Sequence, residues 1–92
     1  IPYLLRLTPL VSHGREYFSE QAGEAITVVG KDISESGMGF YHDSSLPHRF
    51  VRLSLDDPQV GAFEIVLQLV RCRFTKIGWY ETAGRIVEVS TG

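Results

Sequence analysis

Residues 49–55 alternate between aliphatic and other side chains, and this alternation constrains the fold more than any other feature of the chain. Val51, Leu53 and Leu55 are aliphatic, whereas Arg52 and Ser54 between them are polar. A period of two sends successive side chains to opposite faces of a β-strand, so that one face can be buried. Similar runs recur along the chain, and no long run has the 3.6-residue period of a helix. The sequence therefore predicts an all-β fold.

Six predicted strands cover residues 1–11, 25–33, 38–42, 49–55, 62–75 and 79–89. Within them the alternation predicts shared faces for Tyr3, Leu5 and Leu7, for Met38 and Phe40, for Val51, Leu53 and Leu55, and for Ile65, Leu67 and Leu69. The first strand is expected at a sheet edge, because Pro2 and Pro9 have no N–H to donate to a neighbouring strand. Residues 12–24 are polar and could form a loop or one turn of helix. Because a closed sheet leaves no bare edge, we expect a small, six-stranded antiparallel β-barrel with little helix.

The composition fits one small globular domain spanning residues 1–92, with 43% hydrophobic residues, 22% charged residues and a formal net charge of -2. Such a chain has no basic field to attract a nucleic-acid polymer, so its partners should be small molecules, other domains of a parent protein or partner proteins. No apolar run approaches the roughly 18 residues of a membrane span. The chain begins inside an apolar run without an initiator Met, so we expect a piece of a longer protein.

Cys72 is the only cysteine in the chain. It cannot form an internal disulfide, and no neighbouring histidine suggests a metal ligand or a nucleophile. We therefore predict a buried strand residue in a protein of a reducing compartment, the cytoplasm.

Residues 28–41 join two β-prone runs through a short polar turn in which Asp32, Ser34 and Gly37 have the order Asp-x-Ser-x-x-Gly. One interpretation is an Asx-turn, in which the side chains bond neighbouring N–H groups and Gly37 adopts a positive φ. The other is a ligand site. A carboxylate accepts two parallel N–H donors such as those of a guanine edge, and glycine lets a ligand approach the backbone.

Residues 29–40, with Asp32, Ser34 and Gly37 at the same spacing, resemble the second motif of the PilZ domain family. Members of that family are small β-barrels that bind the bacterial second messenger cyclic di-GMP. The resemblance extends to Leu46-Pro47 followed by residues 49–55, and to residues 84–87, which are similar to the closing strand of the family. It implies a signalling module that holds cyclic di-GMP at Asp32, Ser34 and Gly37.

The chain departs from the family pattern in one respect, because no Arg-x-x-x-Arg precedes the first strand. In the family these two guanidinium groups contact the phosphates and guanine faces of the ligand. They could lie upstream of Ile1, or the chain could resemble family members that bind proteins and no cyclic di-GMP. Within the chain, Arg71 and Arg73 are candidate phosphate contacts, although a solvated strand end is the commoner reason for such residues. Since they share the parity of Leu69, a bulge, a twist or the barrel mouth must expose them.

The remaining candidate groups point to no chemistry. The three histidines, at positions 13, 42 and 48, lack metal-ligand spacing, so we expect no metal and no cofactor. No nucleophile has a nearby base and no glycine-rich nucleotide loop is present, so we expect no enzyme and no catalytic residue. Trp79 and Tyr80 could stack on a base, although aromatic residues at a hairpin more often belong to the barrel core or form cross-strand pairs. An unrelated small barrel that binds an oligonucleotide or a peptide is the third function class, and the acidic balance argues against the oligonucleotide.

Overall fold

A computed structural model describes residues 3–59, 61–75 and 77–91, which contain seven strands and no helix. The strands are β1 (Leu4–His13), β2 (Glu16–Gln21), β3 (Ile26–Ile33), β4 (Gly37–His42), β5 (Phe50–Asp57), β6 (Gly61–Phe74) and β7 (Tyr80–Thr91). Because these residues form no helix, none of them provides a helical membrane span.

All pairings between the strands are antiparallel, and they form one sheet in the order β2-β1-β3-β4-β7-β6-β5. An additional pairing of β1 with β5 closes six of these strands into a ring. The seventh, β2, lies outside the ring as the partner of β1. The prediction of a small antiparallel β-barrel is therefore confirmed.

The first strand is not at an edge, which corrects the expectation drawn from its prolines. β1 pairs with β3 through residues 4–7 and with β5 through residues 6–9. Pro9 is the last β1 residue in register with β5, opposite Val51, and its carbonyl oxygen accepts the Ala22 N–H at 2.8 Å. A proline is tolerated where a ladder ends, because little pairing is lost there. Pro2 lies outside the described residues.

Residues 12–24 form neither a loop nor a helical turn, because most of them belong to a β-hairpin. Gly14 has a φ of 61°, in the left-handed region that suits a tight turn, and β2 follows directly. Tyr17 of β2 packs on the small cluster of Leu10, Phe50 and Val66, with its ring 5.0 Å from that of Phe50. This contact fixes the hairpin to the outside of the ring.

The main core fills the inside of the ring, and all nine of its buried side chains are apolar: Leu5, Leu7, Val28, Met38, Phe40, Val51, Leu53, Ile65 and Leu67. The shared faces predicted by the alternation are found there, with Leu55 and Leu69 packed at its margin. Tyr3 is the exception, since it is 47% exposed at the open end of the barrel.

His42 is fully buried beside this core. Its Nδ1 lies 2.6 Å from the Ser44 carbonyl oxygen, which can only accept, so Nδ1 carries the proton. Its Nε2 lies 2.6 Å from Thr82 Oγ1 and accepts the hydroxyl proton. The imidazole is thus satisfied as a neutral ring, and burial lowers its pKa below the usual value.

Cys72 is exposed, so the prediction of a buried thiol is wrong. The cause is the length of β6, whose last five residues run past the core and are exposed on both faces. Alternation within a strand predicts burial only where a second layer of side chains covers one face.

Candidate functional site

The site predicted from the sequence lies on the hairpin between β3 and β4, and a β-bulge shapes it. Gly30 is in register with Phe40 and Asp32 with Gly39, so Lys31 is an extra residue on β3. Such a bulge turns two consecutive side chains toward the same face of the sheet. Lys31 and Asp32 accordingly lie together, with the Lys31 Nζ atom 3.4 Å from Asp32 Oδ2.

Gly39 leaves the space that the Asp32 carboxylate occupies. A Cβ atom on Gly39 would stand 2.8 Å from Asp32 Oδ1. The carboxylate therefore lies directly over the main chain of β4, and its side chain remains 65% exposed. Gly39 was not among the site residues predicted from the sequence. The usable signal was the Gly-x-Gly pattern of Gly37 and Gly39, which in a strand places both glycines on one face.

Ser34 and Gly37 close the turn between the two strands. The Ser34 N–H donates to the Gly37 carbonyl oxygen at 2.9 Å, and the Gly37 N–H donates to Ser34 Oγ at 3.3 Å. The Asx-turn interpretation expected both Asp32 and Ser34 to bond within the turn. Ser34 does so, whereas the Asp32 carboxylate contacts Lys31.

Gly37 does not have the positive φ expected of it, because the described glycines with positive φ are Gly14, Gly61 and Gly78. A close approach explains the glycine instead, since a Cβ atom on Gly37 would lie 3.0 Å from the Gly84 carbonyl oxygen. The turn is also tied to β7, because the Ile86 N–H donates to the Ser36 carbonyl oxygen at 2.9 Å.

Glu81 on β7 joins Lys31 to Arg73, and the sequence could not reveal this network because its members are far apart in the chain. Glu81 Oε2 lies 2.8 Å from Lys31 Nζ, and Glu81 Oε1 lies 2.5 Å from Arg73 Nη2. The hydrogen bonds from Lys31 and Arg73 lower the pKa of Glu81 to about 2. Conversely, the bonds to Glu81 and then to Asp32 raise the pKa of Lys31.

One row of residues crosses the outer face of four adjacent strands and starts at Asp32. Asp32 is in register with Gly39, Gly39 with Ala83, and Ala83 with Arg71. We call these four residues the outer row. Since neighbouring strands are about 4.8 Å apart, the main chains of Asp32 and Arg71 are separated by roughly 14 Å. Between them the row carries no side chain larger than a methyl group.

Arg71 and Arg73 reach the outer face because β6 has a register shift between Leu69 and Arg71. This confirms the bulge among the three alternatives drawn from their parity. Both arginines are exposed. Arg73 pairs with Glu81, whereas within the described ranges no hydrogen-bond or ion-pair partner contacts the Arg71 guanidinium.

The two aromatic residues after the β6–β7 turn have different environments. Tyr80 is half-buried and stacks across the β4–β7 pair on the buried His42, with ring centroids 5.3 Å apart and planes inclined by 12°. Trp79 is 38% exposed and lines an outer groove of about 460 Å³ with Val29, Tyr41 and Ile77. Tyr80 thus forms a cross-strand aromatic pair with His42, whereas stacking of Trp79 on a base stays a prediction.

A second cleft of about 340 Å³ opens at the barrel mouth between the start of β1 and the start of β6. Its walls are mostly apolar and include Tyr3, Leu5, Met38 and Phe63. Residues 30–33 also line it, so Lys31 and Asp32 of the bulge border this cleft. In the part of the chain that the structure describes, no group of His, Cys, Asp and Glu residues could hold a metal ion.

Comparisons with known proteins give no relative from which the site could be interpreted. A scan against protein-family models finds no match, and searches of curated proteins and of solved structures find none either.

Proposed function

We propose that the chain is a PilZ-like module that binds cyclic di-GMP at Asp32, Ser34 and Gly37. The observation that carries the proposal is the exposed Asp32 carboxylate, which lies over Gly39 on a part of the sheet without bulky side chains. Support also comes from the resemblance of residues 29–40 to the family motif. The module acts by binding and performs no chemistry of its own.

The Asp32 carboxylate supplies the acceptors for a guanine edge. Two parallel N–H donors of the base match its two oxygens, and such charge-assisted bonds contribute roughly 1.5–3 kcal/mol each. Among the residues that the structure describes, Asp32 Oδ2 contacts only Lys31, at the long distance of 3.4 Å. Ser34 Oγ accepts the Gly37 N–H at 3.3 Å and donates to the Gly37 carbonyl oxygen at 3.4 Å, and bonds this long can be exchanged for bonds to a ligand.

The phosphates require cations, and Arg71 is the strongest candidate within the chain. It stands at the far end of the outer row from Asp32, and Arg73 is already engaged with Glu81. Further arginines are expected from an Arg-x-x-x-Arg motif upstream of Ile1. Two bidentate contacts of this kind would contribute roughly 3–6 kcal/mol together, so binding by residues 1–92 alone should be at least a hundredfold weaker.

A second candidate function is a PilZ-like interaction domain that binds a partner protein and no nucleotide. One observation favours it, namely the exposed apolar side chains near the β6–β7 turn: Val70, Phe74, Ile77 and Trp79. Contiguous exposed apolar side chains are typical of a surface that contacts another protein. Under either candidate, we propose a cytoplasmic location.

Titration calorimetry of cyclic di-GMP against the full-length protein tests the proposal. Asp32→Ala should abolish measurable binding and change the free energy of unfolding by less than about 1 kcal/mol, because the side chain is largely solvated. Glu35→Ala is the matched control, since Glu35 is an exposed carboxylate in the same turn but is not one of the three proposed ligand contacts. It should bind as the wild type does.

Two results would count against the proposal. Equal affinity of the wild type and Asp32→Ala would show that the carboxylate is no acceptor for the ligand. Absence of binding by the wild-type full-length protein would leave the interaction domain as the better candidate, and the search should then turn to partner proteins.

A further inference from the structure

We propose that Glu81 is a positioning residue, which holds the Lys31 ammonium group away from Asp32 and so keeps the Asp32 carboxylate open for a ligand. The identity of the ligand in this inference rests on the proposed function. The competition of Asp32 and Glu81 for Lys31 is independent of that function, because it involves only side chains of this chain.

The distances show that Lys31 favours Glu81. Its Nζ atom lies 2.8 Å from Glu81 Oε2 and 3.4 Å from Asp32 Oδ2. The first distance is that of a strong charge-assisted hydrogen bond, and the second is close to the limit for any hydrogen bond. Lys31 therefore donates principally across the sheet to β7, although Asp32 is its neighbour in the chain.

The Glu81 carboxylate is itself fixed in place, which makes it an effective anchor. Its Oε2 accepts from Lys31 while its Oε1 accepts from Arg73, so each oxygen has its own cation. The Glu81 side chain is only 13% exposed, against 65% for that of Asp32. An ion pair is stronger where water is partly excluded, so Lys31 gains more from Glu81 than from Asp32.

The bulge makes this anchor necessary. It places Lys31 and Asp32 side by side on one face, where alternation would have separated them. A lysine side chain is long and flexible, so an ammonium group without Glu81 would turn to its nearest remaining anion, Asp32. A guanine edge would then compete with Lys31 for the same oxygens.

Glu81→Gln removes the anionic charge while keeping the size of the side chain, and a ligand-free measurement follows where Lys31 goes. The chain has only two lysines, so the ε-methylene NMR signals can be assigned with a Lys31→Met variant. In the wild type, adding Asp32→Asn should lower the pKa of Lys31 only slightly, because Glu81 is its main partner. In the Glu81→Gln background the same addition should lower it clearly more. Equal decreases in the two backgrounds would overturn the inference.

Affinity for cyclic di-GMP provides the second test, with the full-length protein. Glu81→Gln should weaken binding roughly two- to fivefold, because the ligand must then break an ion pair between Lys31 and Asp32. This range is expected for one exposed ion pair. Adding Lys31→Met should restore the affinity, a rescue that loss of structure could not produce. Glu64→Gln is the matched control, because Glu64 forms another cross-strand ion pair, with Arg52 at 3.9 Å, on the far side of the ring.

If the Glu81→Gln variant does not fold, the affinity of the Lys31→Met variant for cyclic di-GMP still tests the inference. This variant should bind as well as the wild type or better, whereas a tenfold loss of affinity would make Lys31 a ligand contact and overturn the inference. If the wild type binds no cyclic di-GMP, the proposed function fails. The titration of Lys31 then still decides the positioning role of Glu81.

Discussion

Gly39→Ala should separate the stability of the barrel from the position of the Asp32 carboxylate. The new Cβ atom would stand 2.8 Å from Asp32 Oδ1. Nonbonded heavy atoms rest roughly 3.5 Å apart or more, so the carboxylate oxygen must retreat by at least about 0.7 Å. The Asp32 side chain is 65% exposed and can turn into solvent without any movement of the main chain.

The expected change in the free energy of unfolding is small and favourable. Gly39 is not among the described glycines with positive φ, so alanine fits its backbone. Replacing glycine within a strand should then stabilise the fold by up to about 1 kcal/mol. Gly84→Ala is the matched contrast, because its Cβ atom would meet the Gln68 carbonyl oxygen at 2.9 Å and Leu67 Cβ at 3.1 Å. Neither can turn away, so that variant should lose about 1–3 kcal/mol.

Urea unfolding followed by the fluorescence of Trp79 measures both stabilities, and titration calorimetry measures the affinity of Gly39→Ala for cyclic di-GMP. Displacing one charge-assisted acceptor should weaken binding about ten- to hundredfold. The reasoning fails if Gly39→Ala is destabilised as much as Gly84→Ala, because the contact would then involve more than a movable side chain. It fails equally if Gly39→Ala binds as the wild type does.

Three further predictions concern the fold. Burial holds the pKa of His42 below its usual value of 6.5, so acid should favour the unfolded chain. The free energy of unfolding should have its full value near pH 8 and should decline below about pH 6.5. Urea titrations of the His42→Gln variant should show a smaller decline. Cys72 should react with a thiol reagent in the native protein as fast as in urea, whereas a slow native reaction would mean a buried thiol. Leu53→Ala, at a fully buried position, should lose about 2–5 kcal/mol in the same unfolding assay, and Val70→Ala, at a position 66% exposed, less than about 0.5 kcal/mol.

The sequence predicted the ring of the barrel because the apolar period of two is a local signal. Val51 and Leu53 on β5, and Ile65 and Leu67 on β6, are buried as the alternation requires. It did not predict β2, whose residues are mostly polar and exposed and which is fixed mainly through Tyr17. A polar hairpin that lies outside the ring leaves little periodic trace.

The candidate site was predictable only in part, because its geometry depends on pairing between strands. The turn with Ser34 and Gly37 is local and could be located from the sequence. The bulge at Lys31, by contrast, is a register shift between β3 and β4, and no periodicity reveals it. Glu81 lies fifty residues further along the chain from Lys31, and only the closed sheet brings the two together.

The most direct test of the proposed function is an NMR titration of the ¹⁵N-labelled full-length protein with cyclic di-GMP. The backbone amide signals of Asp32, Ser34, Gly37 and Gly39, and of Ala83 across the outer row, should shift progressively and saturate. The signals of Tyr3 and Phe63 at the barrel mouth should stay in place. Shifts confined to the barrel mouth, or no shifts at all, would contradict the proposal that this outer face holds the ligand.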